Sequence, residues 1–240
     1  MVPEAPDARP SGARHETALP PWAIAKMTRR RGRRHAFDPL EPRRTALVVI
    51  DMTAETIANT PCAAATLAPI SRLAAALRAA GGLVAWILPG PFAEGAPKRV
   101  VEALWGADRL AALETAGRAA KLAPDLTPGP DDLILRKEGY SAFFPGACDL
   151  PERLAARGID RVLITGALTN VCCESSARDA AARGFGVTMV ADANAARSDE
   201  EHRATLYTIL RNFGDVRAST ELLAALCAAD GPGADHQDHA

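Results

Sequence analysis

The sequence RVLITGALTNVCCESSARDAAARG, residues 161–184, contains the pattern that decides the fold. Its first seven residues, Arg161–Ala167, contain the short apolar run Val162–Ile164, of the kind that predicts a buried parallel strand. A short turn follows, in which the polar Thr169 and Asn170 suit the cap of a helix that opens at Cys172. A buried strand followed at once by a helix is the repeating unit of a parallel α/β sheet.

Two adjacent cysteines begin this helix, and helical geometry gives them different surroundings. Cys173 belongs to a stripe of small residues at helical spacing, whose other members are Ala177, Ala180 and Ala181. Cys172 is offset by about 100° and points away from that stripe. A thiol in the first turn also lies near the positive end of the helix, which lowers a thiol pKa and can hold an oxyanion. Cys172 is therefore the candidate nucleophile; the alternative is that both cysteines are small buried hydrophobic residues.

The composition indicates a single globular domain. The chain has 240 residues, of which 48% are hydrophobic and 24% charged, and a formal net charge of −1. A charge so near zero gives no argument for binding nucleic acid or a membrane. The five cysteines are scattered and lack a CxxC pair, which argues for a reducing compartment and predicts a cytoplasmic protein without a disulfide framework. No apolar run has the length of a membrane span.

The two ends of the chain differ from the middle. Residues 1–40 contain proline, alanine and charged residues without a periodic pattern, and this composition predicts a flexible Pro- and Arg-rich arm. The basic cluster RRRGRR, Arg29–Arg34, predicts a solvated arm or an edge that packs on a neighbouring subunit. Nucleic-acid binding is the weaker interpretation because no aromatic residues are interleaved with the arginines. We predict that residues 41–229 form the folded domain and that residues 230–240 form a disordered tail.

Strands and helices alternate through the folded domain. Besides Arg161–Ala167, the predicted strands are Thr45–Met52, Leu83–Leu88, Asp132–Lys137, Gly186–Ala193 and Asp215–Ser219. Their alternation with helices predicts an α/β fold with a doubly wound, mainly parallel, six-stranded sheet of Rossmann-like type. Glycine and proline interrupt residues 92–130, so we expect irregular or weakly helical structure there. This segment is the expected lid or subunit contact.

Charged residues mark the carboxyl ends of two predicted strands. Asp51 ends the first strand, at the edge where parallel sheets bind ligands, so it is either a cap for the next turn or a site residue. Lys137 ends the third strand, where a snorkelling edge charge is the ordinary alternative. The aromatic residues Tyr140, Phe143 and Phe144 follow it, and they either wall a pocket or pack into the core.

The histidines and glycines argue against several classes of site. Four of the five histidines lie near the chain ends, and no pair has the spacing of metal ligands, so we expect no metal site. No GxGxxG sequence or P-loop follows a strand, which argues against a nucleotide, and we expect no cofactor. His202 is the only histidine placed for a Cys–His dyad, and the alternative is that it is a structural or surface residue.

Five segments of the chain together resemble the isochorismatase-like cysteine hydrolases. They are TALVVIDM, DLILRKEGYSAFF, GIDRVLITGALTNVCCESSARDAAARGF, VTMVADANAA and SDEEHRATLYTILRNFGDVRAST. The resemblance implies the fold of that family and an Asp–Lys–Cys triad, which by motif position is Asp51, Lys137 and Cys172. It also implies a non-proline cis peptide just before Thr169, with an oxyanion hole formed by backbone N–H groups near Leu168 and Cys172.

The resemblance is to the amidohydrolase branch of the family, similar to the ureidoacrylate and N-carbamoyl amide hydrolases. It implies hydrolysis of a C–N bond in a small amide, carbamoyl or ureido compound through a thioester, with release of ammonia or an amine. It also implies a homodimer or homotetramer. The residues that we predict to contact the substrate are Thr53, Tyr140, Phe143, Phe144, Thr169 and Asn170.

Three alternatives remain open at this point. The first is a vinyl-ether hydrolase of the isochorismatase type, which needs no cysteine nucleophile. The second is a catalytically silent binding module, because Thr53 and Thr56 replace the Gln and Phe that commonly follow the catalytic Asp in the family. The third is a redox role for Cys172 and Cys173, which the geometry disfavours because adjacent helical cysteines diverge.

Overall fold

A six-stranded sheet forms the centre of the molecule in the computed structural model, which describes residues 13–229. The strands are β1 (Thr45–Ile50), β2 (Leu83–Pro89), β3 (Leu133–Lys137), β4 (Arg161–Ala167), β5 (Gly186–Ala195) and β6 (Asp215–Arg217). They lie in the order β3-β2-β1-β4-β5-β6, and every neighbouring pair is parallel. The predicted doubly wound, parallel six-stranded sheet is confirmed.

Helices cover both faces of the sheet. They are α1 (Pro21–Arg31), α2 (Ala54–Asn59), α3 (Ala63–Ala79), α4 (Ala96–Trp105), α5 (Ala107–Ala119), α6 (Leu150–Ala155), α7 (Glu174–Ala182), α8 (Asp199–Asn212) and α9 (Ser219–Ala229). A π-helical turn, Thr169–Cys173, joins β4 to α7. Ser198 caps helix α8, because its hydroxyl accepts a hydrogen bond from the N–H of Glu201 at 3.2 Å.

The apolar run of β1 shows why the central strands are continuously hydrophobic. All six residues of β1 are buried. Successive side chains point to opposite faces, so Val48 and Ile50 join the core against α6, α7 and α8, while Leu47 and Val49 join the core against α3 and α9. Burying each of these side chains contributes about 1.5–3 kcal/mol, and both faces of the sheet are stabilised in this way.

The segment between β2 and β3 is more regular than predicted. Residues 92–130 contain the two helices α4 and α5, which are separated at Gly106. Gly106 has a φ of 84°, in the left-handed region that glycine adopts easily, so it ends α4 and lets the chain restart as α5. Arg136 of β3 then ties the end of α5 to the sheet, because its guanidinium donates to the carbonyls of Gly117 and Ala120. Of the predicted irregular or weakly helical structure, the helical alternative therefore holds for most of this segment.

The prediction of a flexible arm over residues 1–40 does not hold for residues 13–40, which pack on the domain. Helix α1 begins with Pro21 and ends at the left-handed Gly32, and its Ala23 and Met27 are buried. The segment is anchored by Arg31, which donates to Asp215 and to two backbone carbonyls near β6. Residues 1–12, and the predicted tail of residues 230–240, lie outside the described residues.

Asp215 provides the test of this anchoring. Its buried carboxylate accepts hydrogen bonds from Arg31 at 3.1 Å, from His35 at 3.0 Å and from the N–H of Ala36 at 3.0 Å. Burial disfavours its charge, but the hydrogen bond and charge of His35, together with the N–H groups of Val216 and Ala36, outweigh burial and lower the pKa of Asp215. We expect Asp215→Asn to reduce the free energy of unfolding at pH 7 by about 3 kcal/mol, measured by urea denaturation.

The sign of the pH dependence follows from that lowered pKa. The wild-type stabilisation is present above the ordinary aspartate pKa of about 3.9 and is lost as the pH falls through the lowered native value. Asp160→Asn is the matched control, because Asp160 is an exposed partner of Arg44 and its loss should cost less than about 1 kcal/mol. Equal unfolding curves for Asp215→Asn and wild type would contradict the anchoring.

Candidate active site

The carboxyl ends of three strands bring the predicted triad together. Lys137 is the last residue of β3, Asp51 directly follows β1, and Cys172 lies in the turn after β4. The Lys137 Nζ lies 2.9 Å from Asp51 Oδ2 and 3.6 Å from the Cys172 Sγ. The same ammonium donates to the carbonyl of Gly139 at 2.9 Å. Lys137 is only 1% exposed, so the alternative of a snorkelling surface charge is wrong.

Asp51 is held in an unusual backbone conformation. Its φ is 55°, a left-handed value that costs a non-glycine residue about 1–3 kcal/mol and that occurs mainly where surrounding structure enforces it. The N–H of Asp51 donates to the carbonyl of Ile87 at 2.8 Å, and its own carbonyl accepts from the N–H of Thr53 at 2.9 Å. Oδ2 binds Lys137, whereas the buried Oδ1 has no hydrogen-bond partner among residues 13–229. That oxygen is available to accept a proton.

The close approach of β4 to β1 beside Asp51 requires a glycine. Gly166 has a φ of 117°, which side-chain-bearing residues rarely adopt. A Cβ built on Gly166 would lie 2.1 Å from the carbonyl oxygen of Ile50, the residue before Asp51. The two strands can therefore bring Asp51 and the turn after β4 together only with a bare backbone at this position.

The turn that carries Cys172 begins at a cis peptide between Ala167 and Leu168. This bond is one position earlier than the resemblance implied. The carbonyl of Leu168 accepts hydrogen bonds from the N–H groups of Val171 and Cys173, both at 3.1 Å. The π-helical turn delays the regular helix, so α7 begins at Glu174 rather than at Cys172.

Cys173 occupies the core position that the small-residue stripe predicts. It is fully buried, and its Sγ lies 3.8 Å from the carbonyl oxygen of Thr165. Cys172, one residue earlier, is only partly buried and contacts the charged pair. The two neighbouring thiols therefore have separate surroundings, and Cys172 alone of the pair bonds to Lys137.

The pKa of Cys172 is raised, contrary to the prediction from its place near a helix N-terminus. Burial is the largest cause, and it outweighs the attraction of the thiolate to Lys137; the negative charge of Asp51 raises the pKa further, to about 12. Burial also disfavours the ammonium of Lys137, but the charge of Asp51, the charge of a Cys172 thiolate when one forms, and the hydrogen bonds to both groups together raise its pKa. At neutral pH the site therefore holds a protonated thiol beside an ammonium–carboxylate pair.

Three of the six residues predicted to contact substrate are buried in the scaffold. The Thr53 hydroxyl caps α2 by accepting from the N–H of Thr56 at 3.1 Å. Phe143 is fully buried and packs edge-on against Phe185, with 5.4 Å between the ring centroids. Thr169 is also fully buried, and its hydroxyl bonds to another buried side chain. These contacts give the three side chains structural roles, and their predicted contact with substrate stays a prediction.

The other three residues are at least partly accessible. Tyr140 is 37% exposed; burial raises its pKa, and the nearby charge of Cys172 raises it further. Asn170 is partly buried, and its Oδ1 has no hydrogen-bond partner within residues 13–229. Phe144 is 60% exposed. Sequence reasoning missed Phe92, which packs edge-on against Tyr140 at 5.5 Å; its position after the Pro-Gly-Pro that ends β2 was the available signal.

Within residues 13–229, no helix is both long and apolar enough to cross a membrane. The same part of the chain contains no group of three or more His, Cys, Asp or Glu side chains that could hold a metal ion.

Known proteins are similar to this chain over most of its folded domain. Residues 45–221 match the family model of the isochorismatase domain. The ureidoacrylate amidohydrolase RutB of Caulobacter vibrioides is 39% identical over 102 residues, which are 42% of this chain and 44% of RutB. The chain spans about half the length of several curated relatives that it matches.

Solved structures extend the similarity over roughly three quarters of this chain. A cysteine hydrolase from Pseudomonas syringae pv. phaseolicola aligns with a TM-score of 0.69 and 30% identity, covering 80% of this chain and 96% of that one. The N-carbamoylsarcosine amidase of Thermoplasma acidophilum aligns with a TM-score of 0.59 and 27% identity, covering 73% of this chain and 96% of that one. The chain therefore belongs to the isochorismatase family.

Proposed function

We propose that this chain is a cysteine-dependent hydrolase that cleaves a C–N bond of a small amide, carbamoyl or ureido compound. The observation that carries the proposal is the buried ammonium of Lys137, bonded to Asp51 at 2.9 Å and 3.6 Å from the sulfur of Cys172. The names of two relatives, a ureidoacrylate amidohydrolase and an N-carbamoylsarcosine amidase, support this substrate class.

The first half of the reaction forms a thioester. Because the raised pKa keeps the Cys172 thiol protonated, a base must take its proton during attack, and Asp51 is the carboxylate in place to do so. Lys137 keeps its proton and stabilises the forming thiolate as a fixed positive charge. The sulfur adds to the substrate carbonyl, and the backbone N–H groups of Leu168 and Cys172 hold the oxyanion. Asp51 returns the proton to the nitrogen, and ammonia or an amine leaves.

The second half of the reaction restores the enzyme. Asp51 removes a proton from a water molecule, which attacks the thioester carbonyl through a second oxyanion. The C–S bond breaks, the acid product leaves, and Asp51 returns the proton to the Cys172 sulfur. The packed rings of Tyr140 and Phe92 would form an aromatic wall beside this chemistry, and the Oδ1 of Asn170, which has no hydrogen-bond partner among residues 13–229, would accept a hydrogen bond from a substrate amide.

A substrate panel tests the proposal. Ammonia release should be measured from simple amides, N-carbamoyl amino acids and ureido acids, together with cleavage of a vinyl ether. We expect turnover of at least one C–N substrate and accumulation of an acyl adduct on Cys172 detected by mass spectrometry. Cleavage of the vinyl ether by a Cys172→Ala variant would instead indicate acid catalysis by Asp51. No turnover of any member, with no adduct on Cys172, would indicate a binding module.

A further inference from the structure

Two buried histidines stand behind the turn that carries the reactive cysteine, and the mechanism above uses neither. The Nδ1 atom of His202, which belongs to α8, lies 2.9 Å from the hydroxyl oxygen of Thr169. Both residues are fully buried. Thr169 is the first residue of the π-helical turn that ends at Cys173. The hydrogen bond therefore joins α8 directly to the turn that contains Cys172.

The second histidine comes from the N-terminal segment, more than 180 residues away in the chain. The ring of His15 stacks on the ring of His202, with 4.6 Å between centroids and 14° between planes. Its Nδ1 lies 2.8 Å from Asp199 Oδ1, and its Nε2 accepts from the N–H of Ala196 at 3.0 Å. Nε2 also lies 3.2 Å from the carbonyl oxygen of Ala196, so polar contacts at both ring nitrogens hold the ring of His15 in place.

His202 is a fixed hydrogen-bond partner rather than a base. Burial and the neighbouring His15 lower its pKa to about 4, so the ring is neutral at physiological pH. The hydrogen bond that reaches the Cys172 sulfur comes from Lys137, and the ring of His202 bonds to Thr169 instead. These contacts therefore do not form the Cys–His dyad that the sequence left open as an alternative.

We propose that His202 and His15 are positioning residues for the proposed hydrolysis, and that they act through Thr169. The stacked pair holds the Thr169 hydroxyl, and with it the turn from Thr169 to Cys173, in the conformation that presents Cys172 to the substrate carbonyl. The N-terminal segment around His15 is thus part of the scaffold of the active site. This inference rests on the proposed function, and its test separates the two.

Variants of Thr169 and His202 test the hydrogen bond itself. Thr169→Val removes the hydroxyl at nearly constant volume, and His202→Phe keeps a ring for stacking but removes Nδ1. We expect either change to lower kcat about tenfold to hundredfold, the cost of one lost buried hydrogen bond, with little change in KM. Thr169→Ser keeps the hydroxyl and should restore most of kcat. If His202 acts through Thr169, the double variant should lose no more than Thr169→Val alone; additive losses would overturn the proposal.

His35 supplies a matched control for His15. Both are buried histidines of the N-terminal segment, and each bonds to a carboxylate, His15 to Asp199 and His35 to Asp215. Only His15 stacks on His202. We expect both alanine variants to lower the melting temperature, but only His15→Ala to lower kcat. An equal fall of kcat in both variants would show a general loss of stability and would overturn the proposal.

A second measurement does not depend on knowing the substrate. The N–H groups of Val171 and Cys173 are protected by the Leu168 carbonyl, so their hydrogen exchange reports the order of the turn. Exchange should become faster in Thr169→Val, His202→Phe and His15→Ala but not in His35→Ala. Unchanged exchange in the first three would overturn the proposal, as would faster exchange with unchanged kcat.

Failure of the proposed function has a different signature. If the wild type turns over no member of the panel, the hydrolase proposal fails, and the rate of alkylation of Cys172 by iodoacetamide then replaces kcat. A loosened turn should change that rate in Thr169→Val and His202→Phe and leave it unchanged in His35→Ala. Equal alkylation rates in all four proteins would overturn the positioning role.

Discussion

Cys172→Ala is expected to lower kcat for C–N hydrolysis by at least about 10⁴-fold, whereas Cys173→Ala should leave it nearly unchanged. Removing the nucleophile of a comparable catalytic triad costs about 10⁶-fold, because no covalent intermediate can form. Cys172 is the thiol bonded to Lys137, while Cys173 is buried in the core and bonded to the carbonyl of Thr165. The adjacent cysteine is therefore a control with the same substitution, in the same turn.

Steady-state kinetics and intact-protein mass spectrometry check this prediction together. The wild type and Cys173→Ala should both accumulate an acyl adduct with a slow substrate, and Cys172→Ala should not. Equal loss of kcat in the two variants would mean that the turn has been damaged rather than the nucleophile removed. Full activity in Cys172→Ala would contradict the thioester mechanism and leave Asp51 as the group that carries the reaction.

The sequence was sufficient for the fold because its signals are local. The strand Thr45–Ile50 is almost continuously apolar because the sheet is covered on both faces, so side chains on both sides of the strand are buried. The pattern of Arg161–Ala167 predicted β4 to the residue. The cap of α8 is local in the same sense, since the hydroxyl of Ser198 bonds to an N–H only three residues later.

The N-terminal segment could not be predicted in this way, because its partners lie far away in the sequence. The composition of residues 1–40 is that of an arm, but Arg31 and His35 bond to Asp215, about 180 residues later. His15 likewise packs on His202. No local pattern reports a partner at such a distance, and only the folded sheet brings the edge strand β6 to this segment.

The site shows the same division between local and long-range effects. Motif position identified Asp51, Lys137 and Cys172, and strand ends at one edge of a parallel sheet explain why they meet. The predicted direction of the thiol pKa was wrong, because a helix terminus is a local feature whereas burial and the charge of Asp51 arise only in the folded chain. Alternation within the GYSAFF segment also could not reveal that Phe143 points into the core while Tyr140 lies near the sulfur.

Asp51→Asn should have opposite effects on turnover and on thiol reactivity. Turnover should fall about 10²- to 10⁴-fold, because the general base is lost. Alkylation of Cys172 by iodoacetamide at pH 7–8 should nevertheless become faster. The negative charge of Asp51 raises the pKa of Cys172, so its removal lowers that pKa and increases the thiolate fraction at any pH below it. The buried ammonium of Lys137, left without its carboxylate, then pairs with the thiolate at 3.6 Å.

The pH profile of alkylation distinguishes this account from a simple opening of the site. In the wild type, whose Cys172 pKa is about 12, the rate should rise about tenfold per pH unit from pH 7 to 10 without a plateau. In Asp51→Asn the profile should shift to lower pH. Lys137→Met is the control of opposite sign: Lys137 lowers the pKa of Cys172, so losing it should slow alkylation. Slower alkylation in Asp51→Asn would mean that Asp51 promotes the resting thiolate, and the proton transfer assigned to the moment of attack would have to occur before substrate binds.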